Sequence, residues 1–288
     1  MIGHKTVVSL VSRHWPFANG AGRFIDRFGR GLDLGHGQRR CRTREGFDID
    51  VLADDHIGRH LLLSGAFDPS PIEMLMNFGM DGDRCLDIGA NIGYVSCLML
   101  DRIRDSHVFC IEPQPGIVSL LKGNLARFPE QRWTLLQAAL SDAEGEGHLE
   151  LDIVNRGAST IVTEASQKTV AVPLLPASQV LSGFATLDLV KMDIEGHEET
   201  VFRSARHELA RLQPRVILYE DRDGKSAPDA PIARLLTDIG YRIYGVQKTV
   251  LATKLSAVTG DNAGTFNDFL AVSTRRDLPE AARRRHLA

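Results

Sequence analysis

Two short segments hold the residue types that can do chemistry, at spacings that would bring them together. The first is Cys85-Leu86-Asp87-Ile88-Gly89-Ala90-Asn91-Ile92-Gly93. An apolar run ends in an acid, and Gly89 and Gly93 then permit a tight turn and close backbone approach before a helix begins. This is the geometry for holding an adenosine-containing ligand. The spacing is not the Gly-x-Gly-x-x-Gly of a pyrophosphate binder, and Asp87 stands two residues before the first glycine. A carboxylate there repels phosphate and tolerates or attracts a cation. S-adenosylmethionine carries a sulfonium and an amino group and no phosphate. Glu112, followed by Pro113, comes about 20 residues after Gly93, where an acid accepts hydrogen bonds from ribose hydroxyls.

The second segment is Lys191-Met192-Asp193-Ile194-Glu195-Gly196-His197-Glu198-Glu199. Asp193 and Glu195 share one face if their strand extends that far, and His197 either follows on that face or caps the next helix. Ionisable groups in a crevice are expensive unless they are used or solvated. Glu195, Glu198 and Glu199 also suit helix capping and dipole complementarity. For a hydroxyl acceptor that must lose its proton, Asp193 or His197 is the candidate base. Asp193, Glu195 and His197 also make a ligand set for a divalent metal, so a metal-dependent enzyme is one alternative reading. A non-catalytic nucleotide-binding scaffold is the other. Cys41, Cys85, Cys97 and Cys110 have no zinc-type spacing, and a metal-free site is the expectation.

The elements that must position these residues alternate between strand and helix. Strands are predicted over 84–88, 108–111, 133–136, 187–192, 215–219, 241–247 and 268–273, with helices over 94–103, from 115, over 198–212 and over 231–239. An inserted pair of strands, 148–154 and 169–175, flanks a turn at 157–160. Ser70-Pro71-Ile72-Glu73 reads as a helix start capped by Ser70. Repeated βα units predict a mostly parallel sheet covered on both faces, with ligands at the carboxyl ends of its strands.

Composition narrows the function classes. The 288 residues are 43% hydrophobic and 25% charged, which suits a globular chain, and a net charge of −3 lacks the basic footprint of a nucleic-acid binder. No apolar run approaches the roughly 20 residues of a spanning helix, and residues 7–11 are too short for a secretory segment. Isolated thiols in apolar surroundings fit a reducing cytoplasm. The arginines at 39–44 and 275–285 read as solvated faces or frayed tails. Residues 1–55 are expected to be an N-terminal extension or lid with one short helix near 24–28, 56–275 the main domain, and 276–288 a basic tail.

The chain resembles the class I S-adenosylmethionine-dependent methyltransferases, specifically the FkbM family. Residues 85–93, Glu112-Pro113, Asn124, Ala139-Leu140-Ser141-Asp142 and residues 191–198 stand where that family's pattern has them. Weaker similarity runs from about 56 to 272. The resemblance implies a Rossmann-like α/β sheet, mostly parallel with its last strand antiparallel and helices on both faces. It implies that Asp87, Gly89, Asn91 and Gly93, with Ala90, hold the methionine part of the cofactor. Glu112, with Pro113, would hold the ribose, Ser141 and Asp142 the adenine edge, and Asp193, Glu195 and His197 the boundary between cofactor and acceptor. The family often has a Leu-Asp pair where this chain has Ala177-Ser178-Gln179-Val180, on the acceptor side. The expected reaction is O-methylation of a hydroxyl on a small polyhydroxylated metabolite or glycan, with neither nucleic acid nor stable membrane insertion involved. Nothing in the sequence sets an oligomeric state.

Overall fold

The computed structural model describes residues 3–151, 159–162, 166, 168–221, 227–262 and 264–286. The chain divides into two compact units. One comprises Met1–Ser70 with 248–253, and the other Pro71–Leu151, Ser159–Gln247 and Lys254–Ala288.

The first unit holds α1 (His4–Arg13), α2 (Ala21–Phe28), the hairpin β1 (Gln38–Arg42) and β2 (Asp48–Leu52), and α3 (His56–Ser64). The arginines over 39–44 are exposed, as a solvated face, and what the sequence did not show is that most of them stand on a strand: Arg40 and Arg42 pair across the hairpin with Asp50 and Asp48. Arg44 donates to the Ser12 carbonyl. Helix α3 is capped by Asp55, whose carboxylate accepts from the Ile57 and Gly58 amides, and it ends at Gly65 in the left-handed region (φ 77°). Val8, Ile25, Leu34, Ala53 and Leu63 form the unit's core. Because α3 packs into that core, the unit extends past the boundary expected at residue 55.

Helix α4 (Pro69–Met76) leads into the second unit. It starts at Pro69, so Ser70 lies inside its first turn instead of capping it, and the Ser70 hydroxyl donates to Asn19 Oδ1. Then follow β3 (Arg84–Ile88), α5 (Tyr94–Arg102), β4 (His107–Ile111), α6 (Pro115–Leu125) and β5 (Trp133–Leu136). After them come β6 (Ala139–Ser141), β7 (Gly145–Glu150), β8 (Thr160–Val162), β9 (Thr169–Pro176), α7 (Ala177–Ser182) and β10 (Leu189–Met192). The chain continues through α8 (Glu198–Ser204), α9 (Arg206–Leu212), β11 (Val216–Glu220), α10 (Pro231–Asp238), β12 (Tyr241–Lys248), β13 (Thr253–Ala257), β14 (Asp268–Ser273) and α11 (Glu280–His286).

The main sheet has the order β13-β12-β14-β11-β10-β3-β4-β5. Strands β11, β10, β3, β4 and β5 run parallel, while β14 lies antiparallel between β11 and β12. The central strands are buried along almost their whole length, as a parallel sheet covered on both faces requires. A core built from Leu86, Val190, Met192, Phe202, Ile217 and Phe269 surrounds Tyr219, whose ring stacks on Phe269. The chain goes outward from β3 through β4 to β5, then returns to place β10 on the other side of β3. That reversal opens the crevice where α/β sheets bind ligands. At the opposite ends of the strands, Arg215 closes the sheet with a bidentate bond to Asp83, at 2.9 and 3.1 Å.

The expected pair of inserted strands is present as β7 and β9, which run antiparallel in a separate sheet, β6-β9-β7-β8. Residues 157 and 158 of the expected turn lie outside the described residues, and Thr160, expected in that turn, begins β8, which pairs with β7. The helix expected over 198–212 is broken at Ala205 (φ −91°, ψ 7°) into α8 and α9, although both pieces bury apolar residues in one core. The expected tail is anchored where it starts, because the Arg276 guanidinium binds Asp188, and it ends in α11.

Candidate functional site

Strand β3 ends at Ile88, and the chain turns through three residues with positive φ: Gly89 (74°), Asn91 (49°) and Gly93 (85°). The turn is fastened from β4, since the amides of Gly89 and Ala90 both donate to the Ile111 carbonyl, at 2.9 and 3.0 Å. Glycine is required at 89 for a packing reason as well. A Cβ there would lie 2.0 Å from the Asp193 carbonyl oxygen. Asparagine tolerates its left-handed backbone at 91 by accepting from the Ile92 amide with its own side chain, at 2.7 Å. Asn124 then takes the Ile92 carbonyl at 2.7 Å, which explains why that asparagine belongs to the pattern.

Glu112 stands at the end of β4, 6% exposed. Its two carboxylate oxygens accept from the Asn91 and Gln114 amides, both at 2.9 Å. Burial pushes the Glu112 carboxyl above its ordinary value, and those amides offset part of the rise. A carboxylate has about four acceptor positions, so two amides leave room for ribose hydroxyls.

Asp87 is different. It has no exposed surface; its Oδ2 accepts from Ser96 Oγ at 2.6 Å, and its Oδ1 faces Lys191 Nζ at 3.5 Å. In this structure Asp87 supports the turn from behind. Lys191, opposite Asp87 in the β3–β10 register, also donates to the Gly89 carbonyl at 2.8 Å and faces Asp193 Oδ2 at 3.7 Å. Burial works against its charge, yet Asp87, Asp193 and Glu112 outweigh it and hold the ammonium above its ordinary value.

Strand β10 stops at Met192, so the strand alternation expected to put Asp193 and Glu195 on one face does not apply. Glu195 (φ 60°) and Gly196 (φ 98°) take left-handed backbone and reverse the chain. The reversal is clamped by Glu198, whose carboxylate accepts from the Ile194 and Gly196 amides, both at 2.9 Å. Burial pushes the Glu198 carboxyl up, against those bonds. His197 is the residue before α8, half-buried, with Nε2 3.1 Å from Ser141 Oγ. Ser141 Oγ in turn lies 3.3 Å from Asp142 Oδ1. Burial pulls the His197 imidazole below its ordinary value, with Asp142 working in the other direction.

Asp87, Glu112 and Asp193 therefore sit at or just beyond the carboxyl ends of β3, β4 and β10, with Lys191 among them. Ser141, Asp142 and His197 form a second connected group. Among the described residues, Asp193, Glu195 and His197 do not gather as metal ligands. Sequence reasoning missed Lys191, Ser96 and Glu198 as parts of the site. The first two were legible only as members of buried strand and helix, and Glu198 read as a dipole partner.

An acid-rich turn at the switch point of a mostly parallel sheet, with β14 antiparallel between β11 and β12, defines a Rossmann-like class I methyltransferase. The FkbM methyltransferase domain matches residues 87–243, and the chain belongs to that family. Its cofactor is S-adenosylmethionine. The donor set fits: the excess of carboxylate over ammonium around Lys191 leaves the part-exposed Asp193 to suit a cationic sulfonium and amine, and Glu112 suits ribose hydroxyls.

Among solved structures, the chain is similar to precorrin-6y C5,15-methyltransferase from Geobacter metallireducens, at 14% identity and TM-score 0.39, over 70% of this chain and 88% of that one. It is similar to a TehB-like SAM-dependent methyltransferase from Corynebacterium glutamicum, at 13% identity and TM-score 0.41, over 76% and 94%. A Streptococcus pneumoniae protein solved with S-adenosyl-L-methionine aligns at 10% identity and TM-score 0.41, over 73% and 74%. No curated protein matches the chain in sequence. Among the described residues, no helix is long and apolar enough to cross a membrane.

Proposed function

We propose that this methyltransferase methylates a hydroxyl oxygen of a small polyhydroxylated metabolite or glycan, in the cytoplasm and without nucleic acid. When bound, S-adenosylmethionine supplies an electrophilic methyl group. What remains for the protein is alignment and removal of one proton.

The observation that carries the reading is the chain from His197 to Ser141 to Asp142. If Ser141 gives its proton to the Asp142 carboxylate, its oxygen accepts from His197 Nε2–H, and this network assigns the lone pair to Nδ1. The imidazole, kept neutral by burial, can then take a hydroxyl proton at Nδ1. Asp193 is half-exposed beside Lys191 and suits a different task, accepting a hydrogen bond that orients the acceptor. Glu195 lines the same turn. Asp87 and Lys191 keep the turn and Asp193 in register, Gly89, Ala90, Asn91 and Gly93 form the cofactor wall, and Glu112, before Pro113, takes the ribose.

Four buried free thiols support a reducing compartment, and burial pushes Cys97 up to about 12, which leaves it inert. The net charge of −3 supports a small or neutral acceptor over a polyanion.

The test is to incubate the protein with methyl-labelled cofactor and metabolite or glycan pools, isolate the labelled product, and locate the methyl by NMR. A methyl ether is expected. A methyl on nitrogen or carbon would overturn the hydroxyl assignment.

A further inference from the structure

A second constellation lies in the first unit and shares no residue with the site described above. His56 and His60 occupy positions i and i+4 of α3, so their rings project from one face, with centroids 4.5 Å apart. Asp26 reaches them from α2, placing Oδ1 at 3.0 Å from His60 Nε2 and 3.8 Å from His56 Nδ1. The Phe67 ring stands edge-on to both imidazoles, at 80° and 88°, and limits their rotation.

The geometry points to a site for one divalent transition-metal ion of the zinc class, held by Asp26, His56 and His60.

A purely structural histidine–aspartate bond needs one imidazole. Here a second ring aims a nitrogen at the same carboxylate oxygen from beyond hydrogen-bond distance, which a shared ion explains and a hydrogen bond does not. Ligand atoms about 2.0–2.1 Å from a tetrahedral zinc sit roughly 3.3–3.4 Å apart. The observed 3.0 and 3.8 Å bracket that spacing, and the three ligand atoms lie within 4.8 Å of one another. Two imidazoles and one carboxylate favour zinc, cobalt or iron over magnesium or calcium, which prefer all-oxygen sets.

Exposure is graded in the manner an accessible site needs. The His60 side chain is 7% exposed and anchors the group, while His56 at 28% and Asp26 at 42% face outward and leave a position for water. Metal entry at Nε2 of His60 moves its proton to Nδ1 or to solvent, and the Asp26 oxygen exchanges a hydrogen bond for a metal bond. The ion would pin α2 to α3 within this unit, as a structural clamp or an effector site.

The experiment uses the full chain, stripped with chelator and titrated with zinc chloride by calorimetry, with elemental analysis after gel filtration. One zinc per chain is expected, together with a raised melting temperature and, with cobalt, visible d–d bands of tetrahedral intensity. His60→Ala removes a buried ring and can unfold the unit, so His56→Ala and Asp26→Asn are the informative variants. Each should keep the parent's circular dichroism and lose about 10-fold or more in zinc affinity, a loss that even groups merely hydrogen-bonded to a metal ligand produce. Absence of stoichiometric zinc in the parent, or unchanged affinity in both variants, would overturn the site.

Discussion

The Lys191 ammonium donates to the Gly89 carbonyl at 2.8 Å, so a side chain of β10 holds the backbone turn that follows β3. The same ammonium lies 3.5 Å from Asp87 and 3.7 Å from Asp193. One buried cation thus ties the turn after β3, the proposed cofactor wall, to the residue that would orient the acceptor. Lys191→Met would leave Asp87 buried without its countercharge, a loss of about 3–5 kcal/mol read from a denaturation midpoint. Adding Asp87→Asn should recover part of it, because the stranded charge is gone. A Lys191→Met protein as stable as the parent would deny the ammonium this role.

Gly89 is the backbone counterpart of that interaction. Alanine there would place its Cβ 2.0 Å from the Asp193 carbonyl oxygen, with φ at 74°. The left-handed backbone alone costs about 1–2 kcal/mol, and the clash must in addition push β10 away. Gly89→Ala should lower the melting temperature sharply and weaken cofactor binding. Gly116→Ala is the control, since nothing lies within 4 Å of a Cβ at that position in α6. It should be neutral or slightly stabilising. Equal melting temperatures for the two variants would remove the packing argument.

Both glycines of this turn, and the strands around it, were legible in the sequence because buried parallel strands and glycine turns leave local signatures. The strands over 84–88, 133–136 and 268–273 end where expected. The first unit was not legible. In β1 only Cys41 is buried, so an arginine-rich strand shows no alternation, and α1 exposes Val7, Leu10 and Val11. The buried faces there are set by tertiary packing. The site divided in the same way. Asp87 and Glu112 announced a ligand by spacing, but that Asp87 turns inward to Ser96 and Lys191 depends on which strand lies beside β3, a long-range fact. The Ser141–His197 hydrogen bond joins residues far apart in the chain, and spacing cannot show it.

Glu112 tests the cofactor itself. Glu112→Ala would remove the proposed ribose acceptor and free the Asn91 and Gln114 amides, so calorimetry should show binding of S-adenosylmethionine weakened by about 1.5–3 kcal/mol. The parent should show no appreciable binding of NAD, whose phosphates would face the part-exposed Asp193 carboxylate. Unchanged affinity in the variant would remove the ribose role.

Asp193→Asn separates binding from turnover. The amide keeps the shape and the backbone bond to Ile88, so cofactor affinity should be largely intact. Lost orientation of the hydroxyl should lower kcat by about 100-fold. A full kcat would release Asp193 from the reaction, whereas a large rise in cofactor Kd would move it to the cofactor wall.

If His197 is the base, as proposed, it sets the pH dependence. Burial pulls its imidazole below the ordinary value of about 6.5, so the neutral base persists into mildly acidic solution. Activity should rise with pH through a midpoint below about 6.5 and then level off. Stability follows the same sign. The unfolded chain binds this proton more tightly, so the His197 contribution is complete above about 6.5 and is lost as pH falls through the lower folded value. His197→Gln should abolish the acid limb and lower kcat by about 100-fold or more. Ser141→Ala keeps the imidazole but removes the oxygen that holds its Nε2 proton, and should cost less than His197→Gln while moving the limb. A parent midpoint well above 6.5, or an acid limb that survives in His197→Gln, would take the proton away from His197.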